Sequence, residues 1–168
     1  MSMKRIIKYL ASAIALFAVT SCIANMDPFE GGDGVRANIN GQKCVMSGTP
    51  GRVYANCSFE SGANSFGTNV SMMHLLDKTI FTLAFSLSNS SPFVTGQQYS
   101  IGSGTYKATL TTISGEDVPL TGWVTFLKIG YDSKTVEARF ELDGQDANGK
   151  KYTVRHGFMR LFRVKEGE

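Results

Sequence analysis

The stretch VEARFELDGQDANGKKYTVRHGFMRLF, residues 136–162, decides the fold class. Val136, Ala138, Phe140 and Leu142 are apolar and alternate with Glu137, Arg139 and Glu141. A period of two marks a strand with one buried and one wet face. Residues 143–151 then supply two Gly, two Asp and an Asn, the chemistry of a turn. Tyr152, Val154, His156 and Phe158 resume the alternation. Gly157 reads as the site of a bulge, beyond which Met159, Leu161 and Phe162 continue.

The same pattern recurs upstream. Val35, Ala37 and Ile39 alternate with polar residues and run into Asn40-Gly41, a type I′ hairpin signal, and the chain returns through Cys44 and Met46. Val70, Met72 and His74 alternate, although residues 71–76 also read as a short helical turn. Phe81, Leu83, Phe85 and Leu87 share one face, as do Tyr106, Ala108 and Leu110. Residues 122–131 hold Trp123, Leu127 and Ile129 on one face and Val124 and Phe126 on the other. Strand signals at intervals of about 10–15 residues, with turn formers between them, predict an all-β domain over residues 35–168: a single antiparallel β-sandwich or a partly open barrel.

The N-terminus bears on location. Lys4, Arg5 and Lys8 precede an uncharged, mostly apolar run from Tyr9 to Val19. That run falls well short of the roughly 20 residues of a spanning helix and reads as the core of an export signal. It ends in Val19-Thr20-Ser21-Cys22, which closely resembles a bacterial lipobox, the site where a signal peptidase cuts before a diacylated cysteine. Residues 1–21 are then a lipoprotein signal peptide. Residues 22–34, with Asp27, Glu30, Asp33, Pro28 and three Gly, form a flexible tether. Each buried lipid CH₂ contributes about 0.8 kcal/mol, so two or three chains on Cys22 anchor the protein to a membrane without a spanning segment.

Cleavage also removes the apparent basicity. The whole chain carries 17 Lys+Arg against 14 Asp+Glu, and three of the basic residues lie in the signal. The remainder is balanced at 14 of each, without the basic surplus that nucleic-acid binding requires. Arg155, Arg160, Arg163 and Lys165 read as solvated strand faces beside Glu166 and Glu168.

With Cys22 taken by lipid, Cys44 and Cys57 remain in an oxidising compartment, an even number that predicts one disulfide. If Pro50-Gly51 is a two-residue hairpin loop, Cys44 and Cys57 face each other across it within bridging distance. Closing so short a loop contributes roughly 3 kcal/mol. The competing reading is two buried free thiols.

A resemblance accompanies this pattern. Ala37-Asn38-Ile39-Asn40-Gly41-Gln42, Gly96 and Tyr99, residues 122–131, residues 136–141, Asn148-Gly149-Lys150-Lys151-Tyr152 and Gly157-Phe158 together resemble small Bacteroidetes-type lipoproteins of unknown function. The likeness covers most of the chain after the signal and is a pattern of turns and apolar residues. It departs at Ala138, where a Gly is usual, and in the Cys44/Cys57 pair. It implies an outer-membrane lipoprotein with a sandwich or barrel-like domain and carries over no catalytic residues.

Catalytic constellations are scarce. His74 and His156 have no metal-ligand spacing, no G-x-S-x-G elbow occurs, and Gly102-Ser103-Gly104 reads as a turn. Asp143, Asp146 and Asn148 form a weak candidate Ca²⁺ loop, against which stands the plain reading of a hairpin made of turn formers. Trp123 with Tyr131 is a candidate sugar-stacking platform, although a lone Trp in an apolar strand is usually core. The sequence thus predicts a lipid-anchored cell-envelope protein, periplasmic or surface-facing. It acts as a non-catalytic binding or structural module without a required cofactor, and its partner is a glycan, a peptide or an envelope protein. The alternatives are an inhibitor or immunity-type protein-binding lipoprotein and, behind it, a carboxylate-based hydrolase.

Overall fold

Ten strands follow the alternations, and none of the described residues is helical. The structure is a computed structural model that describes residues 34–46, 54–55, 64–129 and 135–163. The strands are β1 (Gly34–Ile39), β2 (Gln42–Met46), β3 (Tyr54–Ala55), β4 (Ser65–His74), β5 (Ile80–Ser88), β6 (Gln98–Ile101), β7 (Tyr106–Thr111), β8 (Asp117–Ile129), β9 (Thr135–Gln145) and β10 (Lys151–Arg163).

Eight of them form a ring, in the order β1-β2-β4-β5-β7-β8-β9-β10, every pair antiparallel, and β10 returns to β1. The sheet therefore closes on itself. The all-β, antiparallel expectation is met, and of the two architectures expected the barrel is present rather than the sandwich, closed with eight strands instead of partly open. Closure leaves no edge among the ring strands to aggregate through. Two short strands lie off the ring: β3 pairs in parallel with the end of β10, and β6 continues along β8 where β7 leaves off.

Alternation points the apolar set inward. Phe66, Val70 and Met72 of β4, Leu83, Phe85 and Leu87 of β5, Val124 and Phe126 of β8, and Val136, Ala138, Phe140 and Leu142 of β9 are all buried. Eight strands enclose a space just wide enough for side chains, and here aromatic rings fill one end of it. Phe93, from the connection between β5 and β6, turns inward. Its ring lies 5.1 Å from Tyr99 and 5.1 Å from Phe126, and Phe126 meets Phe66 edge-on at 5.2 Å. The Tyr99 hydroxyl accepts from the Val94 backbone N–H at 2.7 Å and fixes that connection.

The outer wall is mostly polar. Asn69, Ser71, Ser86, Lys107, Thr121 and Arg139 occupy the outward positions. A membrane-spanning barrel has the reverse polarity, with an apolar band outside. One outward row is apolar: Val45, Met73 and Ile80 are successive cross-strand partners, and Leu75, Leu76 and Ile113 stand exposed at the adjoining turns.

Four short turns gather at one rim: Asn40-Gly41, residues 75–79, residues 112–116 and residues 146–150. A hydrogen bond ties two of them, from the Ala147 N–H to Glu116 Oε1 at 3.1 Å, and the Leu75 N–H donates to the Lys43 carbonyl of β2 at 3.1 Å. Asn40 (φ 52°) and Gly41 (φ 79°) adopt the left-handed pair that a two-residue hairpin requires, as Asn40-Gly41 predicts. Gly34, where the barrel begins, is at the opposite rim.

The bulge predicted at Gly157 is present, but its consequence differs from the simple alternation. The register of β10 against β9 shifts between Val154 and Gly157. His156 takes a positive φ of 53° and is exposed. Phe158, expected to share a face with Tyr152 and Val154, pairs instead with outward Arg139. It is covered there by guanidinium groups, Arg36 at 5.0 Å and Arg160 at 5.8 Å from its ring centroid. Arg160 also reaches Glu137 at 3.1 Å. The extra residue reverses the parity of the rest of β10, so that Gly157, Met159 and Leu161 face inward where Tyr152 and Val154 did before it.

Candidate functional site

Of the residues singled out in sequence, Cys22, Cys57 and Tyr131 lie outside the described residues. Cys44 faces the barrel interior, fully buried, and its thiol is free. Cys44 is carried by β2. Both of its edges are taken, by β1 and β4, so Cys44 lies opposite Ala37 and His74. Cys57, the partner expected for it, lies outside the described residues.

Cys44, His74 and Asp77 form a sequence of neighbours reminiscent of a thiol nucleophile with its base. His74 is buried, and its Nδ1 lies 2.5 Å from Asp77 Oδ1. Asp77 also accepts from the Thr79 N–H at 2.9 Å. The Thr79 backbone and side-chain hydrogen bonds, then His74, hold the Asp77 carboxyl at about 2. The thiol, however, is pushed up, chiefly by burial and further by the Asp77 charge. A nucleophilic cysteine needs a lowered pKa and access. Cys44 has neither, so this cluster acts as structure at the rim.

In the weak candidate Ca²⁺ loop, the two carboxylates make hydrogen bonds within the protein. Asp143 lies on β9, and its Oδ1 accepts from Arg155 at 2.6 Å. Asp146 Oδ1 accepts from the backbone N–H groups of Asn148 at 3.0 Å and Lys150 at 2.9 Å, closing the turn. The two carboxylates are committed to different partners, and no metal-ligating cluster occurs among the described residues.

A shallow groove of about 440 Å³ crosses the outer wall where β8, β9 and β10 run side by side. The pairing builds it in rows. Thr121 lies opposite Asp143, which lies opposite Thr153. Towards the hairpin rim, Gln145 lies opposite Lys151, beside Pro119. Arg155 fixes the central carboxylate, because its guanidinium also donates to the Leu142 carbonyl at 2.8 Å and the Val154 carbonyl at 3.1 Å. Asp143 Oδ2 is left without a partner among the described residues. The Gln145 amide donates to the Gly149 carbonyl at 3.0 Å, which holds the side chain and leaves Oε1 free to accept. Fixed acceptors thus stand beside the hydroxyls of Thr121 and Thr153 and the ammonium of Lys151.

Trp123 belongs to the same wall. It lies two residues along β8 from Thr121, about 7 Å away, and faces Glu141 and Ser100 across the neighbouring strands. It is half-buried on the outward side, whereas Val124 and Phe126 point inward. The usual core assignment for a lone Trp is therefore corrected. The sequence offers Asp143 as a metal ligand and Trp123 as a sugar platform, separately, and Thr121, Gln145, Lys151 and Thr153 carry no local signal. The strand register is what unites them. No protein-family model, curated protein or solved structure matches the chain.

Proposed function

We propose that the chain is a lipid-anchored cell-envelope protein whose barrel is a non-catalytic binding module working through its outer wall. The observation that carries this reading is Cys22 placed directly behind Val19-Thr20-Ser21 at the end of a short apolar run. The likeness to small Bacteroidetes-type lipoproteins agrees with it. The barrel adds support of a different kind: its interior is occupied by side chains and its wall is polar, so the wall and rims are the surfaces open to a partner. The groove's Gln145–Lys151 row borders the hairpin rim, whereas Gly34 lies at the opposite rim.

Intact-mass measurement of detergent-extracted protein tests the anchor. The expected species begins at Cys22 and carries the mass of two or three acyl chains. Cys22→Ser should retain the signal and lose the acyl mass. An uncut chain, or an unacylated Cys22, refutes the reading.

A second reading, the inhibitor or immunity type, is favoured by the apolar row of Met73, Leu75, Leu76, Ile80 and Ile113. Scattered apolar surface residues are ordinary, whereas a contiguous set marks a protein contact. Co-purification of one stoichiometric partner, lost in Leu76→Asp/Ile113→Asp, would establish it in place of the groove.

A further inference from the structure

We infer that the groove on β8, β9 and β10, with Trp123 beside it, is a carbohydrate-binding site that takes a neutral saccharide chain. This rests on the reading of the outer wall as the binding surface and names the ligand class. A saccharide ring presents two kinds of surface. Its faces carry C–H groups, which pack on an aromatic plane, and its edge carries hydroxyls, each of which both donates and accepts. The wall supplies both kinds at adjacent positions. Trp123 offers an outward aromatic side chain, and Thr121, Asp143 and Thr153 form the next row.

The polar groups suit hydroxyls better than a charge. Arg155 offsets the charge of Asp143 through Oδ1 at 2.6 Å, which leaves Oδ2 as an acceptor for a hydroxyl. Gln145 Oε1 is a second acceptor, held by the bond its amide makes to Gly149. Thr153 and Lys151 are donors on the neighbouring strand. Fixing these groups before binding lowers the ordering cost of a weak, solvent-exposed contact. The groove is open along its length, which suits a chain laid across the strands rather than an enclosed small molecule.

Trp123 is the only tryptophan in the protein, so its emission reports on this wall alone. Detergent-solubilised full-length protein is titrated with maltohexaose, cellohexaose, mannohexaose and chitohexaose up to roughly 5 mM. The expected result is a saturable change in emission with at least one of them. Asp143→Asn and Thr153→Ala should each weaken that binding by about tenfold while leaving the urea midpoint of unfolding near that of the parent. The inference is overturned if none of the four saccharides moves the emission, if both variants bind as the parent does, or if only a polyanion such as heparin produces the change. Acylation of Cys22 is read separately by mass. A null titration on acylated protein removes the saccharide and leaves the envelope reading, and a saturable titration on unacylated protein does the converse.

Discussion

Gly157→Ala should destabilise the barrel by about 3 kcal/mol, near the top of the usual range for overpacking a filled core. A Cβ built at Gly157 lies 2.3 Å from both Cδ2 and Cε2 of Phe140 and 2.6 Å from the Phe140 carbonyl oxygen. Neither neighbour can yield easily. The ring is fully buried and meets Phe85 edge-on at 5.2 Å, and the oxygen belongs to the backbone of β9. The bulge places a bare backbone over an aromatic ring, and any side chain there must displace one or the other. For a domain of this size the loss corresponds to about 10 °C in Tm. Equilibrium urea unfolding followed by Trp123 emission measures it, with an unchanged m value confirming that stability alone has moved. Gly104→Ala is the control. Gly104 has a positive φ of 59° but nothing within 4 Å of its added Cβ, so only backbone strain of about 1 kcal/mol applies. In a Phe140→Leu background the Gly157→Ala cost should shrink by about 1–2 kcal/mol, because the ring edge is gone. A Gly157→Ala protein within about 0.5 kcal/mol of the parent, or one indistinguishable from Gly104→Ala, refutes the close-packing account.

Other consequences follow from the same packing. Leu110→Ala, which empties a fully buried position, should cost about 2–5 kcal/mol. Ile113→Ala, three residues on and largely exposed, should stay within about 0.5 kcal/mol, read by the same urea titration. Phe158→Ala should cost about 1–3 kcal/mol through lost burial and the lost contacts with Arg36 and Arg160, measured by thermal melting. The Cys44 thiol, enclosed and with its pKa raised, should resist maleimide at pH 7 in the native protein and react on unfolding, located by peptide mass mapping. Asp77 gains its hydrogen bonds only in the folded state, so its carboxyl is depressed on folding. Its contribution is present above the unfolded value near 4 and is lost as the pH falls towards about 2. Asp77→Asn should flatten the stability profile in that window, measured by urea midpoints at successive pH values.

The elements were legible wherever one face is dry. Phe81, Leu83, Phe85 and Leu87 announce β5 because burial on one side forces a period of two, and Asn40-Gly41 announces its hairpin through the positive φ both residues tolerate. Three features lay beyond local pattern. Closure depends on β1 meeting β10, a contact no neighbouring residues encode. The bulge before Gly157 was visible as a glycine, but the parity it reverses, putting His156 and Phe158 on the outside, follows only from the register. The placing of β2 between β1 and β4, which sets Cys44 opposite Ala37 and His74, is likewise absent from the local spacing. The groove failed to show for a related reason. Asp143, Thr121 and Thr153 are ordinary outward residues on three strands, and meaning arises only where those strands are aligned.

The closing seam also bears on how the molecule is made. Most of the ring pairs form between neighbours in the chain, whereas the bond from the Thr153 N–H to Asn40 Oδ1 joins residues 113 positions apart. Bringing such distant segments together costs about 2 kcal/mol more in chain entropy than closing a hairpin of ten residues. The meander can assemble progressively, but β1 must wait for the last strand to arrive. Until then the nascent sheet carries two unpaired edges, each a template for another copy. Synthesis from the N-terminus makes that wait unavoidable, so the vulnerable period ends only when β10 is complete.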